Sequence, residues 1–116
     1  MTIKDVAQKY DLSEATLRYY EQEGLIINVP RKNGIRHYTE ENIRVIEFLI
    51  FMRSSGMSIE RLKKYMELYE KPNTEKERLR ILEDQYKEVE DKIELLKTSL
   101  DKLNIKIDYI KKEELK

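Results

Sequence analysis

The sequence predicts a mainly α-helical protein, with one small β-hairpin inside a compact N-terminal domain and a long helix after it. Three observations carry this. Polar capping residues, Thr2, Ser13, Thr39 and Ser58, each stand before a short run with apolar residues at helical spacing. A single Asn33-Gly34 pair, flanked by apolar positions, interrupts these runs with a hairpin signal. From Leu79 an apolar stripe recurs in steps of three and four residues almost to the end. Composition agrees: 40% of the 116 residues are charged, where about a quarter is usual, and there are three Gly and two Pro.

The first helix starts after Thr2, with Asp5 at its third position, and Ile3, Val6, Ala7 and Tyr10 form its apolar face. Asp11-Leu12-Ser13 breaks it. Ser13 caps a second helix that runs to about Glu23, and Gly24 ends it. Leu17 and Tyr20 share one face of this helix, whereas Glu14, Arg18 and Tyr19 lie on others. Two short helices separated by a tight break suggest a helix-turn-helix, a signal that many helical hairpins share.

Asn33-Gly34 suits a two-residue hairpin turn because both residues tolerate positive φ. Ile27 and Val29 precede it, Ile35 and Tyr38 follow it, and Arg31, Lys32 and Arg36 cluster near its tip. That is the composition of a wing that contacts DNA, and also of an ordinary polar hairpin. Thr39 then caps a third helix whose Ile43, Ile46, Leu49, Ile50 and Met52, widened by Val45, Phe48 and Phe51, predict a central position. Ser54-Ser55-Gly56 ends it. Ser58 caps a fourth helix with Ile59, Leu62, Met66 and Leu68. Lys71-Pro72-Asn73 reads as a linker, and Thr74 with Glu77 as a capping box for the last helix.

In that last helix Leu79, Leu82, Tyr86, Val89, Ile93, Leu96, Leu100, Leu103, Ile107 and Ile110 occupy a and d positions over roughly five heptads. Such a helix is roughly 55–60 Å long at 1.5 Å per residue, more than the preceding domain can cover. It therefore predicts a coiled-coil partner, most simply a second copy. A parallel pair would set Lys92 by Lys97 and Lys106 by Lys111. An antiparallel pair sets e against e, and because the e charges run from acidic (Glu83, Glu90) to basic (Lys97, Lys111) along the helix, reversal brings Glu near Lys, so antiparallel pairing is preferred. Ile81, Leu95 and Tyr109 fall together at c positions, off the seam, which suggests a second packing face.

Several function classes are excluded or disfavoured. Without Cys there is no disulfide, thiolate metal site or redox thiol. With one His, no Gly-rich phosphate loop and acidic residues spread along solvated faces, no enzyme, metal site or cofactor is expected. No run has the character of a signal peptide or membrane span, so a soluble, cytoplasmic protein without membrane contact is expected. Net charge is zero. Yet residues 16–38 set Arg18, Arg31, Lys32 and Arg36 against only Glu21 and Glu23, while 73–116 hold 11 basic and 12 acidic side chains.

The runs Ala15-Thr16-Leu17-Arg18-Tyr19-Tyr20-Glu21, Gly24-Leu25-Ile26, Pro30-Arg31 and Gly34-Ile35-Arg36-His37-Tyr38 resemble the DNA-binding domain of the MerR family. So does Phe48-Leu49-Ile50-Phe51-Met52-Arg53-Ser54-Ser55-Gly56-Met57-Ser58-Ile59. The resemblance covers residues 1 to about 70. It implies a winged helix-turn-helix DNA-binding domain over 1–71 and an antiparallel coiled-coil dimerisation helix over 72–116. It also implies a homodimer on a palindromic promoter site, which bends and untwists double-stranded DNA to control transcription by RNA polymerase. Carried over by position, Thr16, Arg18 and Tyr19 would enter the major groove, on base edges or phosphates alike. Arg31, Lys32, Arg36 and Tyr38 would clamp the DNA backbone from the wing, with His37 beside them, and Leu17 and Tyr20 would be core. Ile35 stands where the family most often has Tyr. Lacking Cys, the chain is expected to lack the metal and redox sensing of Cys-bearing members, and to be a short member without the large C-terminal effector domain. An architectural or chromosome-anchoring protein is the alternative, since some proteins of that kind resemble this domain.

Overall fold

The computed structural model describes residues 1–114, so the last two positions of the expected 72–116 helix lie outside the described residues. The order is α1 (Ile3–Tyr10), α2 (Glu14–Gln22), β1 (Arg31–Lys32), β2 (Ile35–Arg36), α3 (Glu40–Ser54), α4 (Ile59–Tyr69) and α5 (Glu75–Glu114). By its contacts the chain forms two units, Met1–Ile81 and Leu82–Lys116, divided within α5.

Local chemistry sets the helix starts of the first unit. The Thr2 hydroxyl accepts from the Asp5 amide at 3.2 Å and the Asp5 carboxylate accepts from the Thr2 amide at 3.0 Å. These bonds hold the Asp5 carboxyl below its usual range. Asp11, with φ of 53°, turns the chain out of α1. Ser13 Oγ accepts from the Thr16 amide at 3.0 Å to start α2, and Ser58 Oγ accepts from the Arg61 amide at 3.1 Å to start α4. Thr39 caps α3 with Asn42 as its reciprocal partner, and the buried Asn42 also donates from Nδ2 to the Ile27 carbonyl at 3.1 Å. One side chain thus starts α3 and fastens the segment leading into the hairpin.

The core joins Val6 of α1, Leu17 and Tyr20 of α2, Leu25 and Ile26 after it, Ile46 and Leu49 of α3, Met57, and Leu62, Tyr65 and Met66 of α4. Burying one such large aliphatic side chain stabilises by about 1.5–3 kcal/mol. Phe48 stacks on Tyr65 with ring centroids 4.9 Å apart. The third helix is not buried all round: Phe51 remains 67% exposed, because a helix buries only the faces that meet neighbours.

The start of α5 differs from the expected Thr74/Glu77 capping box. The Thr74 hydroxyl donates to the Leu68 carbonyl at 2.7 Å and lies 3.2 Å from that of Lys71, and it accepts from Arg78 Nε at 3.1 Å. The hydroxyl satisfies the end of α4 instead of the beginning of α5, since the turn through Asn73, with φ of 61°, folds Thr74 back onto those carbonyls. The Arg78 guanidinium lies over the rings of Tyr65 and Tyr69, at 6.0 and 5.7 Å.

From Glu75 to Glu114 α5 is one 40-residue helix. No helix among the described residues is long and apolar enough to cross a membrane.

Candidate nucleic-acid interface

Three features of the first unit form a basic surface: the outward face of α2, the hairpin, and the ion pair that links them. On α2, burial of Leu17 and Tyr20 turns Arg18 and Tyr19 outward, and Tyr19 is 42% exposed. Arg18 meets Glu14 one turn earlier at 3.4 Å, a loose pair with both side chains about half exposed. Such a pair restrains Arg18 by at most about 1 kcal/mol, so its guanidinium is available to a ligand. Thr16 is half-buried, and its hydroxyl shares a 2.8 Å hydrogen bond with Ser13.

The hairpin pairs Arg31 with Arg36 and Lys32 with Ile35. Asn33 and Gly34 both have positive φ, 54° and 77°, the combination a two-residue type I′ turn requires. A Cβ on Gly34 would meet nothing within 4 Å, so conformation rather than space calls for glycine there. Arg31 and Lys32 are exposed. Arg31 reaches only the Gly34 carbonyl, at 3.5 Å, and Lys32 has no ion-pair partner among the described residues. Ile35 is exposed. The exposed His37 lies beyond β2, where its amide donates to the Pro30 carbonyl at 2.8 Å and it bridges to Thr2.

One wing residue, Tyr38, departs from the expected backbone clamp, and a second, Arg36, is restrained. Tyr38 is in the core, 2% exposed. Its backbone is tied to the chain start, with the amide donating to the Met1 carbonyl at 2.7 Å and the Met1 ammonium donating to the Tyr38 carbonyl at 3.2 Å. This anchoring draws the ring inward, out of reach of a surface ligand. Burial, and then the neighbouring Glu21 carboxylate, push the Tyr38 hydroxyl up to about 12. That hydroxyl and Glu21 Oε1 are both buried, side by side. Arg36 is half-buried, and its Nε donates to Glu21 Oε2 at 2.6 Å.

The residues brought together are thus Arg18 and Tyr19 on α2 with Arg31, Lys32 and Arg36 on the hairpin. Glu21 was not legible as part of the site. Its place in the run before Gly24 suggested only a solvated acid, and its partner lies 15 residues away. Lys63 was missed likewise: its Nζ donates to Glu23 Oε2 at 3.1 Å, which ties α4 to the end of α2 and raises the Lys63 pKa. Among the described residues no group of His, Asp or Glu side chains is placed to hold a metal.

A model of the MerR HTH family regulatory proteins matches residues 1–69, and one for MerR DNA binding matches residues 43–104. The chain belongs to the MerR family. It is 49% identical over 87 residues to the HTH-type transcriptional regulator AdhR of Bacillus subtilis, an alignment spanning 73% of this chain and 62% of AdhR. An HTH-type transcriptional regulator of Haemophilus influenzae is 34% identical over 113 residues, 96% of this chain and 84% of that one. Among solved structures, HiNmlR, described as a MerR family regulator lacking the sensor domain, bound to promoter DNA, superposes with a TM-score of 0.85 at 34% identity. That match covers 98% of this chain and 92% of HiNmlR. A MerR family transcriptional regulator from Bacillus thuringiensis gives 0.79 at 28% identity, over 94% and 97% of the two chains. The mainly helical fold expected from the sequence is therefore that of MerR-family regulators.

On α5 the expected seam is uncovered in the single chain. Leu79, Tyr86, Ile93, Leu96, Leu100, Leu103, Ile107 and Ile110 are between 45% and 69% exposed, and Leu82 and Val89 are half-buried. Of the c positions, Leu95 and Tyr109 are exposed and Ile81 is half-buried.

Proposed function

We propose that this MerR-family chain is a site-specific transcription regulator that binds a two-fold symmetric promoter site as an antiparallel coiled-coil homodimer. In this reading residues 1–71 read DNA and 72–116 pair the two copies. Arg18, Tyr19 and Thr16 contact the major groove. Arg31, Lys32, Arg36 and His37 hold phosphates from the wing, and Tyr38 supports the wing from within. Holding two half-sites on one rigid dimer bends the duplex, and the dimer's contacts offset the deformation energy, which changes how RNA polymerase meets the promoter. The protein acts in the cytoplasm, and we assign it no catalytic activity.

The observation that carries this reading is the pairing, in one chain, of an outward Arg18-Tyr19 face beside a basic hairpin with an uncovered heptad seam. A single copy leaves that seam in water, and a second copy buries it and supplies the second half-site by symmetry. HiNmlR, alike over nearly its whole length, is described as bound to promoter DNA. Selection from random duplex DNA at physiological salt tests the reading. A two-fold symmetric motif is expected. Binding without any motif would favour the architectural alternative.

A further inference from the structure

We propose that Glu21 is a positioning residue for DNA binding: it pins Arg36 by its Nε edge, so that the terminal N–H groups are offered to a backbone phosphate, and so locks wing to recognition helix. The inference rests on the DNA-binding reading above and assigns a role to a residue which that reading leaves aside.

The geometry carries it. Glu21 sits on α2, between the outward Arg18-Tyr19 face and the C-terminal end of the helix, and Arg36 sits on β2. Their 2.6 Å contact joins the two elements that would hold the duplex. The Arg36 side chain is 22% exposed and that of Glu21 17%, so the pair is shielded but still borders water. A guanidinium is planar, and fixing its Nε edge fixes the direction of its other donors. Among the described residues those terminal donors have no protein partner. Arg31 and Lys32 of the same hairpin have no comparable restraint and must be ordered when they bind. Arg36 alone among the wing cations is held in place beforehand.

Charge complementarity alone does not explain an acid here. Glu21 brings a carboxylate to a surface read as binding a polyanion, and its second oxygen is buried beside the buried Tyr38 hydroxyl. Coulomb's law by itself says that removing this charge tightens DNA binding. Positioning gives the opposite sign, because loss of Glu21 frees Arg36 to wander and uncouples wing from helix.

The test measures Kd and its salt dependence for the full chain on a duplex carrying the selected motif, or on a random duplex if no motif emerges. The proteins are wild type, Glu21→Gln, Glu21→Ala, Arg36→Ala and the Glu21→Ala/Arg36→Ala pair, with thermal melts to establish that each is folded. Arg36→Ala is expected to weaken binding and to reduce the slope of log K against log salt by about 1. Glu21→Ala is expected to weaken binding about tenfold. Glu21→Gln should lose less, because its amide oxygen still accepts from Nε. In the Arg36→Ala background the sign reverses, and Glu21→Ala tightens binding, which a purely structural role would not produce. If Glu21→Ala does not fold, Glu21→Met, which keeps the volume but removes both the charge and the acceptor, decides the sign. Equal or tighter binding by Glu21→Ala or Glu21→Met, with Arg36→Ala still weaker, overturns the positioning role and leaves DNA binding intact. Unchanged affinity and slope in Arg36→Ala overturn it by removing the contact that Glu21 would position. No binding by wild type overturns the parent reading and this one with it.

Discussion

Leu96→Lys should dissociate the homodimer, and the structure sets the scale. Leu96 keeps 67% of its surface exposed in the single chain. Complete burial of a leucine side chain stabilises by about 1.5–3 kcal/mol, so covering what remains is worth about 1–2 kcal/mol. A two-fold dimer contains the position twice, which gives about 2–4 kcal/mol. At 1.4 kcal/mol per factor of ten, the dimer Kd should rise roughly 30- to 700-fold. The lysine stem recovers some packing, while its ammonium opposes burial; the two corrections have opposite signs. Leu95→Lys is the matched control. Leu95 is 66% exposed, immediately adjacent and chemically identical, and differs only in lying at a c position. Sedimentation equilibrium over a range of concentrations reads both. If Leu96→Lys stays within about threefold of the wild-type Kd, or Leu95→Lys dissociates while Leu96→Lys does not, α5 does not pair in this heptad phase.

Two further substitutions probe the DNA-reading unit. Arg18→Ala should weaken binding to the selected site by about 1–3 kcal/mol if it reads a base. Its fold should lose less than about 1 kcal/mol, because the Glu14 pair is half exposed. Competition between selected and scrambled duplexes checks this, and unchanged affinity and specificity would remove Arg18 from the site. Tyr38 should make the fold base-sensitive. Its hydroxyl is raised from 10.0 to about 12 in the folded chain, so between those values the native state holds a proton that the unfolded state has released. Stability is full below about pH 10 and falls as pH rises toward 12, by an amount of order 2–3 kcal/mol. Chemical denaturation of wild type and Tyr38→Phe across that window isolates the effect, since other titrating groups are common to both. Parallel pH profiles would mean that the hydroxyl is not buried as described.

The parts of this fold that could be read in the sequence are those decided within four residues. Ser13, Thr39 and Ser58 each accept an amide three positions on, so each helix start is written beside itself. Asn33-Gly34 sets its turn by backbone preference alone. Thr74 shows where that logic fails. Thr74 and Glu77 match a capping-box pattern, yet the Thr74 hydroxyl is taken by the carbonyls of Leu68 and Lys71, which the pattern does not consider. Tyr38 fails for a related reason. Tyr38 lies beyond the two-residue strand β2, so alternation does not set which way its ring faces; its backbone is tied to the chain start, 37 positions away, and its ring lies in the core.

The candidate site divides along the same line, and the division has a functional meaning. Arg18 and Tyr19 were legible because an outward face follows from an inward one: Leu17 and Tyr20 are taken by the core, so their neighbours are left for a ligand. Arg36 was legible as a cation but not as a restrained one, since Glu21 comes from another element. Local rules therefore identify which groups face outward, and tertiary contacts determine how firmly each is held. An unrestrained wing cation such as Lys32 adds charge and a salt-dependent term. A cation held by its neighbour adds direction as well, and direction lets a two-fold dimer distinguish a duplex of the right shape from an arbitrary polyanion.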